Sequence, residues 1–227
     1  MTAPFAGKHV VITGGIGGLG AAVVGRFVEA GATCHLPVIG APAAAPPAGT
    51  HQTGPVDLTD ETAVERYYAS LPPIVASIHL AGGFQAKPIE ATTRADLETQ
   101  LGLNLVTAFL CCREAIKALR RSGGGRIVNV AARVVEVPPA GMAAYAAAKA
   151  AVAGLTRALA EEVKGDGILV NAVLPSIIDT PANRAAMPNA NHERWPKPAE
   201  LARTIHWLAS PENTLTSGAL VPVYGRA

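Results

Sequence analysis

Charge is scarce in this chain of 227 residues: Asp, Glu, Lys and Arg make up 16%, and the formal net charge at pH 7 is only +2. A near-neutral balance gives no electrostatic case for nucleic acid or a membrane surface as a partner. Aromatics are scarcer still at 4%, so the 49% hydrophobic content rests on Ala, Val, Leu and Ile. The three cysteines, Cys34, Cys111 and Cys112, are an odd count without metal-ligand spacing. Two of them are adjacent within a helical pattern, which implies reduced, small apolar side chains. Histidines 9, 35, 51, 79, 192 and 206 are scattered and read as structural, with no metal site. No uncharged apolar run reaches transmembrane length. Met1–Lys8 has no basic segment followed by an apolar core. The expectation is a cytoplasmic protein with reduced thiols.

What is present is rhythm. Short β-branched runs alternate with Ala-rich helical stretches. Strands are expected at His9–Ile12, Thr33–Leu36, Ile74–Leu80, Arg126–Val130 and Ile168–Val173. Helices are expected at Leu19–Ala30, closed by Gly31, and at about Arg94–Leu119 and Ala143–Val163. Such alternation implies right-handed crossovers and a parallel sheet covered on both faces, in one domain spanning residues 1–227. Residues 40–55 break the pattern, because Pro42, Pro46, Pro47 and Pro55 sit among Ala and Gly. They read as a surface loop replacing a crossover helix, or as a flap over one end of a ligand.

Thr13-Gly14-Gly15-Ile16-Gly17-Gly18-Leu19-Gly20 follows the first strand and opens the first helix. Glycines let backbone N–H groups approach a pyrophosphate, and a helix N-terminus supplies free donors and partial positive charge. This turn resembles the Thr-Gly-x-x-x-Gly-x-Gly fingerprint of the short-chain dehydrogenases/reductases. Further landmarks follow in order: Val56-Asp57-Leu58-Thr59, Leu80-Ala81-Gly82-Gly83, Asn104, Tyr145-x-x-x-Lys149 and Pro175-Ser176-Ile177-Ile178-Asp179-Thr180. The resemblance implies an α/β Rossmann fold, a doubly wound parallel sheet flanked by helices on both faces. It also implies a dinucleotide held by Thr13, Gly14, Gly18, Leu19, Gly20, Asp57, Leu58, Ala81, Gly82, Tyr145, Lys149, Pro175, Ile178 and Thr180. Leu80 stands where the family usually has Asn, and Ser176 where it has Gly.

Tyr145 and Lys149, four residues apart, share one helix face. An ammonium about 4 Å from a phenol is worth roughly 4 kcal/mol at an effective dielectric of 20. That is enough to pull the phenol from about 10 towards neutrality and make it a general acid/base. By resemblance Lys149 also holds a ribose, and Asn104 anchors a proton-relay water. The family's serine would fall at Ala132, within Asn129-Val130-Ala131-Ala132-Arg133, where no hydroxyl is present. Loss of such a donor costs on the order of 10²–10³ in rate. Three explanations stand open: a substrate that does not need the serine, as in dihydropteridine reductases; a substitute donor, Ser176 or Arg133; or a dinucleotide-binding regulatory protein with little turnover.

The cofactor signal is mixed. Val38 occupies the place of the acid that would accept from the ribose hydroxyl of NAD, and no Lys or Arg lies between Arg26 and Arg66 to meet the phosphate of NADP. An uncompensated phosphate is the costlier mismatch, so NAD(H) is preferred and NADP(H) remains possible. Substrate walls are expected from residues 83–88, 133–142 and 177–195. Phe84, Val134, Val137, Met142 and Met187 are apolar contributors, Arg133, Glu136 and Arg184 polar ones, and residues 181–196 a lid. The expected function is hydride transfer between nicotinamide and a small carbonyl, alcohol or imine-like substrate. The resemblance adds a homotetramer or dimer, packed through the helices of Asn104 and Tyr145.

Overall fold

The computed structural model describes residues 3–226. Met1 and Thr2, on which the reading of the N-terminus partly rests, and Ala227 lie outside the described residues. The strands are β1 (His9–Thr13), β2 (Thr33–Pro37), β3 (Thr50–Thr53), β4 (Ile74–His79), β5 (Gly125–Val130), β6 (Ile168–Pro175) and β7 (Leu220–Val223). They form one sheet in the order β3-β2-β1-β4-β5-β6-β7, with every neighbouring pair parallel. This is the doubly wound Rossmann architecture, and its direction of winding reverses between β1 and β4. Such reversals open a crevice at the carboxyl ends of the strands.

The helices are α1 (Gly20–Glu29), α2 (Glu61–Ala69), α3 (Arg94–Leu101), α4 (Thr107–Arg121), α5 (Ala143–Glu162), α6 (Pro181–Ala186) and α7 (Pro198–Ala209). Alternate residues of each strand serve opposite faces. Val10 and Ile12 pack with Val23 and Phe27 of α1 and Ile205 and Leu208 of α7. Val11 joins Tyr67 and Tyr68 of α2, Leu110 and Leu119 of α4 and Ala160 of α5 on the other side. Gly31 closes α1 at φ 86°, the left-handed conformation that a helix-ending glycine supplies without a Cβ penalty.

Two expectations need correction. Residues 40–55 are not a loop throughout, because Thr50–Thr53 pairs with β2 from Cys34↔Thr50 to Pro37↔Thr53. The four prolines crowd this segment, but they flank the strand instead of interrupting it. The stretch 94–119 is not a continuous helix either. Gly102–Val106 forms a π-helical turn between α3 and α4. Helices α2 and α7 went without a signal in the reading above. Asp60 caps α2 by accepting from the N–H groups of Thr62 and Ala63, a pattern legible in the sequence. Pro198 opens α7 at its first position.

A buried polar chain runs beneath the carboxyl ends of β4 and β5. Thr156 donates to the Val152 carbonyl at 2.8 Å, and Asn129 Nδ2 donates to Thr156 Oγ1 at 3.0 Å. Asn129 Oδ1 therefore faces His79 Nδ1 as acceptor at 2.8 Å, which leaves His79 Nε2 to accept from Ser77 at 2.9 Å. Burial lowers the His79 pKa to about 4, so the ring is neutral. Satisfied groups of this kind lock their elements together, whereas a single missing partner would be costly.

Candidate active site

The glycine turn is shaped by steric need. Gly14 has φ +67°, and a Cβ on it would lie 2.8 Å from the Ala81 nitrogen. A Cβ on Gly20 would lie 2.1 Å from the Gly14 carbonyl oxygen, so neither position admits a side chain. Thr13 ties the turn to the one after β4: its carbonyl accepts from Leu80 N–H at 3.2 Å and its hydroxyl from Ala81 N–H at 3.2 Å. Across the crevice, a Cβ on Gly18 would touch Thr180 Cγ2 at 3.0 Å. Thr13, Gly14, Gly18, Leu19, Gly20, Ala81, Gly82 and Thr180 thus gather around the switch point. Asp57 is exposed, and its carboxylate accepts from the backbone and side chain of Thr59 at 2.8 and 2.7 Å. Those two bonds hold it below the usual carboxylate range.

Tyr145, Lys149 and Asn104 also converge there. Asn104 is buried in the π-helical turn. Its Oδ1 accepts from Gly83 N–H at 3.3 Å, and its Nδ2 donates to the Gly83 and Gln100 carbonyls, both at 3.0 Å. A Cβ on Gly82 would lie 2.7 Å from Asn104 Oδ1 and 3.5 Å from Lys149 Nζ, which places both groups against the same backbone. Lys149 is buried and donates to the Val130 carbonyl at 2.9 Å. Its Nζ sits 5.9 Å from the centre of the Tyr145 ring.

The electrostatics differ from the expectation for this pair. Burial pushes the Tyr145 phenol up to about 12 and the Lys149 ammonium down to about 8. Desolvation dominates because the ammonium is engaged with the Val130 carbonyl instead of facing the phenol closely. At neutral pH the phenol is therefore a proton donor in waiting.

Ala131 and Ala132, at the end of β5, are buried and carry no hydroxyl. Of the two substitutes considered, Ser176 spends its hydroxyl on the Tyr224 carbonyl at 2.7 Å. Arg133 lies over the Tyr224 ring, 5.1 Å from its centre, and the Tyr224 hydroxyl donates to Glu136 at 2.5 Å. Pro175 ends β6, and Ile178 accepts from Asn183 Nδ2 at 2.8 Å.

One residue that the sequence reading passed over proves central to the segment beyond. Asp179 binds Arg184 through Nε and Nη2, at 2.5 and 2.9 Å, and Lys197 Nζ at 2.5 Å. The two cations hold its carboxyl well below the usual range and join the two ends of residues 180–197. The alternating charges Asp179, Arg184 and Lys197 were visible, but no local periodicity links 179 to 197. Among the described residues no group of three or more His, Cys, Asp or Glu is placed to hold a metal, and no helix is long and apolar enough to cross a membrane.

Residues 8–191 match the short chain dehydrogenase family. The chain belongs to that family. Among its relatives is the cyclic-di-GMP-binding biofilm dispersal mediator protein of Escherichia coli K12, 32% identical over 97% of each chain. The cis-4-hydroxycyclohexanecarboxylate dehydrogenase of Sinomonas cyclohexanicum is 31% identical, over 97% of this chain and 96% of its own. A short-chain dehydrogenase/reductase of Burkholderia xenovorans, of known structure, superposes with a TM-score of 0.88 at 28% identity, covering 98% of this chain and 96% of that one. Its relatives include dehydrogenases and reductases, and the family is one of oxidoreductases that bind nicotinamide dinucleotides.

Proposed function

We propose that the protein is an NAD(P)-dependent oxidoreductase acting on a small carbonyl compound or the corresponding alcohol. The observation that carries this reading is the meeting of Tyr145, Lys149 and Asn104 at Gly82–Gly83, beside the glycine turn. The nicotinamide, when bound, supplies or accepts hydride. The chain's own residues handle the proton. Tyr145, fully protonated at neutral pH because burial holds its pKa at about 12, donates to the carbonyl oxygen in the reducing direction. Lys149, at about 8, keeps its charge near neutrality and would hold the ribose. Asn104, fixed by Gly83, would anchor the proton-relay water that the resemblance implies.

The donors present suit a dinucleotide. Bare backbone at Gly14, Gly18 and Gly20 can approach a pyrophosphate at the start of α1, and the Asp57 carboxylate is exposed for the adenine. NAD(H) is favoured over NADP(H), since no Lys or Arg lies between Arg26 and Arg66. Ala132 stands where the family's serine would, which favours a substrate whose reaction relies on positioning more than on a second hydroxyl. Leu103, Val106 and Phe109 are exposed apolar side chains around α4, consistent with copies pairing through that helix; sedimentation showing only monomer would remove this part. The test of function is a screen of carbonyl and dihydropteridine-like substrates with NADH and NADPH, beside Tyr145→Phe. Turnover that requires Tyr145 is expected. Its absence would favour a binding protein with no efficient turnover.

A further inference from the structure

Phe84 is 60% exposed although it lies against the candidate reaction centre. Its ring centre is 5.0 Å from that of Tyr145, and the planes are perpendicular at 89°. This exposed ring is held from both sides. Upstream, Asn104 takes both backbone groups of Gly83, and a Cβ on Gly83 would lie 2.7 Å from Leu103 Cδ1. Downstream, Lys87 N–H donates to the Gly141 carbonyl at 2.7 Å. Lys87 Nζ donates to Asp96 Oδ2 at 2.7 Å, and Gln85 Nε2 donates to Asp96 Oδ1 at 3.3 Å. The ring is presented by a braced loop and covered by little of the chain itself.

A braced, uncovered aromatic ring one ring-width from an acid/base phenol has a specific use. With the two ring centres 5.0 Å apart, a substrate whose oxygen meets the Tyr145 hydroxyl would approach Phe84. Stacked and edge-to-face contacts reward planar, unsaturated rings over open chains, and a ring held in advance loses little freedom on binding. The buried alanines at 131 and 132 add no polar demand nearby. We infer that Phe84 is a specificity-determining wall, and that the substrate class is planar or near-planar six-membered cyclic ketones and their allylic alcohols. The inference rests on the oxidoreductase reading for its chemistry. In the reaction, a reduced nicotinamide cofactor gives hydride to the carbonyl carbon and is oxidised. The C=O π pair takes the proton of Tyr145, which is replaced from solvent.

The test compares 2-cyclohexen-1-one with the open-chain 3-hexen-2-one, both of six carbons, in the wild type, Phe84→Ala, Phe84→Trp and Tyr145→Phe. Reduction is measured as kcat/KM with NADH and NADPH. Binding is measured separately by saturation-transfer NMR in the presence of NAD⁺ or NADP⁺, where neither ketone reacts. The wild type is expected to prefer the ring. Phe84→Ala should reduce that preference by roughly three- to tenfold in both measurements, and Phe84→Trp should retain it. Because the side chain is largely exposed, Phe84→Ala should unfold at the wild-type temperature. Turnover or binding that shows no ring preference, or a preference unchanged in Phe84→Ala, overturns the wall and leaves the oxidoreductase reading standing. Phe84-dependent ring binding without Tyr145-dependent reduction of either ketone upholds the wall and overturns that reading.

Discussion

Replacing Lys149 with Met should stabilise the cofactor-free protein at neutral pH. Burial lowers the Lys149 pKa from 10.5 to about 8, and at roughly 1.4 kcal/mol per pH unit this represents about 3 kcal/mol of opposition to folding. The unfolded chain holds its proton up to 10.5, whereas the native one releases it from about 8. The cost is therefore complete below pH 8 and fades as the pH rises towards 10.5. Methionine removes it but leaves the Val130 carbonyl without its donor, a loss of about 1–2 kcal/mol. The net gain near pH 7 is expected to be about 1–2 kcal/mol. Urea unfolding of both proteins at pH 7, 8.5 and 10 measures it. The advantage of Lys149→Met should shrink, then reverse, by about 2–3 kcal/mol across that range. Tyr145, with a pKa raised to about 12, contributes stability that is lost above pH 10, so the comparison stops there. Two stability curves that run parallel with pH would refute the reasoning, because the buried ammonium would then carry no desolvation cost.

Other substitutions test separate parts of the site. Gly20→Ala places a Cβ 2.1 Å from the Gly14 carbonyl oxygen; it should cost about 1–3 kcal/mol in denaturant unfolding and abolish NADH binding in a fluorescence titration. Asp179→Asn leaves Arg184 and Lys197 without their shared carboxylate, and limited proteolysis within residues 181–196 should accelerate with little change in melting temperature. Ala132→Ser should raise kcat on simple ketones by up to about 10²-fold, and an unchanged rate would mean that another group already stabilises the reacting oxygen.

The sheet was legible because its strands are short, β-branched and bounded by glycine. Five of the seven were read within a residue or two of their ends. β3 was hidden by composition: Thr50-His51-Gln52-Thr53 has neither alternation nor apolar content, and only pairing with β2 makes it a strand. The π-helical turn escaped for a different reason, since the apolar spacing from 94 to 119 fits one helix and the break depends on how Asn104 meets Gly83. The site residues were legible as motifs, but not their electrostatics. Spacing places Tyr145 and Lys149 on one face, yet says nothing about the Val130 carbonyl that draws the ammonium aside. Contacts between distant segments, such as Asp179 with Lys197 or Phe84 with Tyr145, leave no periodic trace at all.

A π-helical turn contains one residue more than the α-helix it interrupts. Deleting a single residue from 102–106 would restore an unbroken rod and rotate one half against the other by about 100°. Asn104 would then leave Gly83, and the exposed apolar side chains around α4 would turn to a new bearing. The position of Asn104 against Gly83 thus depends on chain length at this point as well as on the side chain itself.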